Sequence, residues 1–209
     1  MKILIIGASH GIGLSLFNQA LHASHAVTAL ARDPSRLGVL HKQARVLKGD
    51  ILDMNDVKEA ARGQDGVCIT IGHKPTFKAV TAFSRGTQNV VNVMKNSGVK
   101  KLICVTGIGA GDSKNHGGFL YDQIFNPLLL KAIYQDKDRQ EEIVRASGLD
   151  WEIVRPGFLT NGPRTGRYRV VTDLTGVTAG KISREDVADY ILKEFGEMRY
   201  VRKSVLLNY

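Results

Sequence analysis

Apolar runs of strand length alternate along this chain with segments of helix length, the pattern of a parallel sheet covered by helices on both faces. The expected strands are Lys2 to Gly7, Ala26 to Ala31, Ala44 to Lys48, Gly66 to Gly72, Lys101 to Thr106 and Trp151 to Arg155. Between them the clearest helix spans Thr81 to Asn96, where Val80, Phe83, Thr87, Val90, Val91 and Met94 fall on one stripe and Gly98 supplies a stop. Farther on, Ser183-Arg184-Glu185-Asp186 reads as a capped start, and Val187, Ala188, Ile191, Leu192 and Phe195 follow as a buried face. The expected fold is α/β, a doubly wound parallel sheet in a single domain.

Composition narrows this picture. A chain of 209 residues suits one domain over 1–209, which must then both bind its ligand and act on it. The substrate region is expected from its later part, about 107–131 and 156–182. With 43% hydrophobic and 23% charged residues, neither a disordered nor a fibrous class is indicated. No stretch approaches the roughly 20 apolar residues of a membrane span, and Met1-Lys2 runs straight into a strand without signal-peptide architecture, so a cytoplasmic protein with no membrane partner is expected. Cys68 and Cys104 each sit inside an apolar run and read as reduced, packed thiols; no metal site is expected. The net charge of +9 raises the question of nucleic acid. The basic residues form no recognition helix, and no zinc-finger, basic-zipper or RNA-recognition signature occurs, so a small phosphorylated molecule is the more economical partner. The chain is expected to act as a monomer or homodimer.

The strongest chemical signal is Gly7-Ala8-Ser9-His10-Gly11-Ile12-Gly13, between an apolar strand and a helix with Ile12, Leu16, Ala20 and Ala23 on one face. Such a loop lacks side chains where a pyrophosphate must come close, and the helix start offers unpaired N–H groups to an anion. Beyond the second strand, an acidic side chain would grip a ribose 2′-hydroxyl and an arginine a 2′-phosphate. Both types occur there. Asp33, followed by Pro34, reads as a turn residue, while Arg32 and Arg36 converge on one phosphate, with His10 as a third contact; NADP is favoured over NAD.

These residues resemble the short-chain dehydrogenase/reductase superfamily, and within it atypical members related to the NmrA-like proteins and to biliverdin reductase B, a flavin reductase. The resemblance is carried by glycines 7, 11 and 13, by Leu30-Ala31-Arg32-Asp33-Pro34-Ser35-Arg36-Leu37, Gly49-Asp50-Ile51, Thr70-Ile71-Gly72, Ser147-Gly148-Leu149 and Arg155-Pro156-Gly157, and by Gly162 to Val170. It implies a Rossmann-type fold in which Gly7, Ser9, His10, Gly11, Ile12 and Gly13 form the pyrophosphate loop and Arg32 and Arg36 hold the 2′-phosphate. It further implies that Asp50 and Ile51 flank the adenine, that Ile71 and Gly72 lie on the ribose side, and that Thr106 and Pro156 to Phe158 lie near the nicotinamide.

The departures from the family bear on the reaction. Most members place a Tyr and a Lys four residues apart on a helix, and none of the six tyrosines here has Lys at that spacing. The lysine position is kept at Lys137, but the tyrosine position falls on Ile133; Tyr134 is adjacent, three residues before Lys137, so the two side chains could share one helical face, although such a pair is more often surface decoration. The serine after the fifth strand is replaced by Gly107. Without a positioned acid, alcohol or ketone chemistry is disfavoured. Hydride transfer to a flat conjugated acceptor that takes its proton from water is not. Thr106, Lys137 and Phe158 are the candidate catalytic residues, and Phe158, Phe119, Tyr121 and Trp151 the candidate walls for a small-molecule acceptor. The NmrA-like resemblance also admits an NADP-binding sensor without turnover.

Overall fold

The computed structural model describes residues 1–38, 42–118 and 130–209. All six expected runs form strands: β1 (Lys2–Ile6), β2 (Ala26–Ala31), β3 (Arg45–Lys48), β4 (Gly66–Ile69), β5 (Lys101–Val105) and β6 (Asp150–Pro156). Five helices lie between or after them: α1 (Gly11–His22), α2 (Met54–Ala61), α3 (Ala82–Ser97), α4 (Lys131–Arg145) and α5 (Arg184–Glu197). Short strands β7 (Phe158–Thr160), β8 (Arg169–Val171) and β9 (Lys181–Ser183) and a longer β10 (Lys203–Asn208) complete the described elements.

The main sheet runs β3-β2-β1-β4-β5-β6-β10-β8, with β8 antiparallel, and β7 pairs with β9 in a two-stranded sheet beside it. The architecture is a Rossmann-type doubly wound sheet. Its order reverses between β1 and β4, so the crevice beyond their carboxyl ends is where a ligand belongs in such a fold. One face carries α1 and α5 over Ile3, Ile5, Cys68, Ile103 and Val205; the other carries α2, α3 and α4 over Leu4, Ile6, Val67, Leu102 and Ile153. Both thiols are free and buried, one in each core, and burial raises both.

The amphipathic stripes fold as their period requires. Val80, Phe83, Thr87, Val90, Val91 and Met94 are all buried, and Gly98 closes α3 in the left-handed region at φ 74°. Ser183 caps α5 by accepting from the Asp186 N–H at 3.0 Å. The fifth helix is latched to the first: Glu185 accepts from Ser15 Oγ at 2.7 Å and Gln19 Nε2 at 2.8 Å. Asp136 of α4 is fully buried and caps α3 from across the interface, accepting from the N–H groups of Phe83 and Ser84 at 2.8 and 3.3 Å. No described helix is long and apolar enough to cross a membrane.

Candidate active site

The glycine loop is shaped by close backbone contacts. A Cβ at Gly7, whose φ is +94°, would stand 3.0 Å from the Ile71 nitrogen, so β1 and β4 can end side by side only with glycine there. A Cβ at Gly13 would meet the Gly7 carbonyl oxygen at 2.2 Å; this glycine seats α1 against the turn and does not face the crevice. Around Gly72 nothing lies within 4 Å of the added carbon, so the backbone there is open. His10 precedes α1 with extended backbone and no side-chain cap, and its Nδ1 lies 3.0 Å from Ser9 Oγ. The first turn of α1 holds no acidic residue and no side chain caps it, an arrangement that can take an anion. Ile12 itself turns its side chain into the core.

Beyond β2 the structure separates the acid from the bases. Asp33 caps the 3-10 turn Pro34–Leu37, accepting from Ser35 Oγ at 2.6 Å and Ser35 N–H at 3.1 Å, and these bonds hold its carboxyl below the usual range. Arg32 and Arg36 are exposed and enter no ion pair among the described residues. Arg36 and His10 both act electrostatically on Asp33, so the three sit in one neighbourhood. Asp50 uses its carboxylate on the Leu52 N–H at 3.0 Å, and Ile51 buries its side chain under Gly86.

At the carboxyl end of β5 a hydrogen-bonded chain runs inward. Thr106 is buried and donates to Glu141 Oε1 at 2.8 Å; Glu141 is gripped by the buried Arg155 at 2.9 and 2.5 Å. Lys137 donates to the Thr106 carbonyl, and burial pushes its ammonium down to about 8. Tyr134 is half-buried, not surface decoration: its hydroxyl lies 3.2 Å, and Lys137 Nζ 3.6 Å, from the point a Gly107 Cβ would occupy. The missing side chain at Gly107 is what admits both. Lys137 Nζ also sits 5.4 Å from the Phe83 ring centre and 5.5 Å from that of Tyr134.

Pro156 ends β6 and its carbonyl accepts from Ile108 N–H at 3.2 Å; Phe158 follows, half-buried in β7, with its N–H donating to Gly180 O at 2.9 Å. Trp151 is not a wall of the site. It pairs with Leu102 near the amino ends of the strands and is buried in the α2–α4 core, because β6 begins one residue before it. Phe119 and Tyr121, with the rest of 119–129 in the segment expected between Gly107 and Lys131, lie outside the described residues. The Gly162 to Val170 stretch is pinned to α5: Asp186 accepts from Thr165 and Gly166, and Asp189 from Tyr168 Oη at 2.8 Å. Sequence reasoning missed two polar groups here: Arg184, whose nearness to Gly11 exists only in the folded chain, and Asn161, which accepts from it.

The family described as NAD(P)H-binding matches residues 7–197. The uncharacterized sugar epimerase YhfK of Bacillus subtilis (strain 168) is 28% identical over 205 residues, covering 94% of this chain and 89% of its own. Among solved structures, a short-chain dehydrogenase/reductase from Veillonella parvula DSM 2008, in complex with NADP, superimposes with a TM-score of 0.83 at 18% identity, covering 100% of this chain and 94% of the other. ChuY, an anaerobillin reductase from Escherichia coli O157:H7, does so at 0.78 and 24% identity, covering 100% and 97%.

Proposed function

The chain belongs to the NAD(P)H-binding family, and on that premise we propose that it is a reductase that binds NADPH and reduces a flat conjugated acceptor: a flavin, a quinone or a linear tetrapyrrole. The observation that carries this reading is the bare-backbone cradle at the β1–β4 crevice, with exposed Arg32 and Arg36 beyond β2 and Asp33 turned to capping. The residues present fit a phosphorylated dinucleotide. Backbone N–H groups from Ser9 to Ile12 receive the pyrophosphate, Arg32 and Arg36 the 2′-phosphate, Asp50 and Ile51 the adenine, and Ile71 and Gly72 the ribose. Thr106 and Pro156 border the nicotinamide. When bound, NADPH supplies a hydride, and one proton from water completes the two-electron reduction of the acceptor.

Phe158 forms an apolar wall against which a planar acceptor stacks. The inward turn of the Thr106 hydroxyl onto Glu141 removes it as a donor to an acceptor oxygen. Similarity to a reductase of anaerobillin supports the tetrapyrrole member of the class.

The test is NADPH oxidation with FMN, riboflavin, small quinones, biliverdin, aldehydes and ketones in parallel. The conjugated acceptors are expected to be reduced faster, and Phe158→Ala should raise the KM for acceptor more than the Kd for NADPH. Tyr134→Phe is expected to leave flavin reduction within a few fold. A loss of about 100-fold with NADPH binding intact would instead make its hydroxyl a proton donor. Turnover of carbonyls alone, or binding with no turnover, would overturn the reading.

A further inference from the structure

Arg184 is the first residue of α5, where the helix dipole disfavours a cation, so helix stability gives no reason for an arginine at this position. Its half-buried side chain lies across Gly11: Nε stands 3.6 Å and Cδ 3.8 Å from where a Gly11 Cβ would be. The guanidinium donates to Asn161 Oδ1 at 2.7 Å, a neutral partner, and none of the ion pairs among the described residues includes it. The acids beside it are committed elsewhere: Glu185 to Ser15 and Gln19, Asp186 to Thr165, Gly166 and Tyr209.

Across from it is the start of α1, with no acidic residue in its first turn, and the loop from Gly7 to Gly13 contains no lysine or arginine. The start of α1 and a guanidinium that pairs with no carboxylate thus meet beside Gly11, a positive field that an anion completes. We propose that Arg184 is a pyrophosphate-binding residue, gripping from α5 the anion that the α1 loop cradles. The inference rests on the site being a dinucleotide site. Asn161 sets the guanidinium in place and ties it to the segment just after β7, so one hydrogen bond links Arg184 to the strand that carries Phe158.

The test uses Arg184→Met, Arg184→Gln and Arg184→Lys, with Kd values measured by NADPH fluorescence and calorimetry for NADPH, for NADH and for adenosine 2′-phosphate, which has no pyrophosphate. Met and Gln are expected to weaken NADPH and NADH by the same factor, roughly tenfold to a hundredfold, and to leave adenosine 2′-phosphate unchanged; Lys recovers most of the loss. If the Met variant does not fold, the Gln variant, which keeps a donor toward Asn161, carries the same comparison. Unchanged dinucleotide affinity in a folded variant, or equal weakening of all three ligands, would overturn the role of Arg184. Failure of the unaltered protein to bind either dinucleotide would overturn the reading beneath it.

Discussion

At the scale of single residues, cofactor choice turns on which side chains are already spoken for. Asp33 Oδ1 accepts both hydrogen bonds from Ser35, which ties the carboxylate best suited to a 2′-hydroxyl into a turn, while Arg32 and Arg36 stay exposed. NADPH should therefore bind more tightly than NADH. Replacing Arg32 by Ala should cost on the order of 1.5 to 3 kcal/mol of that preference, and equal Kd values for the two cofactors in the unaltered protein would exclude it. The arginines, the glycines and the turn role of Asp33 were legible in sequence because each depends on near neighbours. Tyr134 was so only in part. That it could neighbour Lys137 follows from their spacing of three along α4, but the half-burial of the pair against the bare backbone of Gly107, in the loop after β5, is set by the fold.

At the scale of elements, what positions the acceptor side is the bond between two helices. Thr81 offers α3 no side-chain cap, and Asp136 replaces it from α4, the same helix that carries Tyr134 and Lys137. Asp136→Ala would leave two buried N–H groups unpaired. We expect a stability loss of about 3 kcal/mol in urea unfolding. NADPH affinity should change little, since the bonds of Asp136 go to Phe83, Ser84 and Arg139 and not to the glycine loop, while acceptor turnover falls as α4 loosens. An unchanged urea midpoint would rule this out. The periodic elements, β1 to β6 with α1, α3 and α5, follow the apolar pattern closely. Strands of three residues such as β7, β8 and β9 carry no usable period, and the apolar part of β10 is a run of only three, Val205 to Leu207, so these elements emerge only from pairing.

At the scale of the whole molecule, one buried acid sets how stability varies with pH. Glu152 lies within β6 under α5, accepts from Tyr190 Oη at 2.5 Å, and is pushed by burial from 4.5 up to about 8. The folded chain keeps a proton that the unfolded chain releases near 4.5, so this contribution is complete below that pH and is lost as pH rises to about 8. Lys137, lowered from 10.5 to about 8, acts oppositely and only above that range, since there the unfolded chain holds the extra proton. The melting temperature should drop by on the order of 10 °C between the two pH limits of Glu152, and Glu152→Gln should flatten the profile. An identical slope in that variant would assign the effect to other groups. The placement of β10 bears on how the chain is made. It follows every other described element in sequence, yet sits inside the sheet, parallel to β6 on one side and antiparallel to β8 on the other. During vectorial synthesis the edge of β6 and the apolar surface of Leu206's partners, Ile108 and Ala179, stay uncovered until β10 has left the ribosome. The nascent chain is therefore most prone to aggregate in the interval after β6 has emerged and before β10 has.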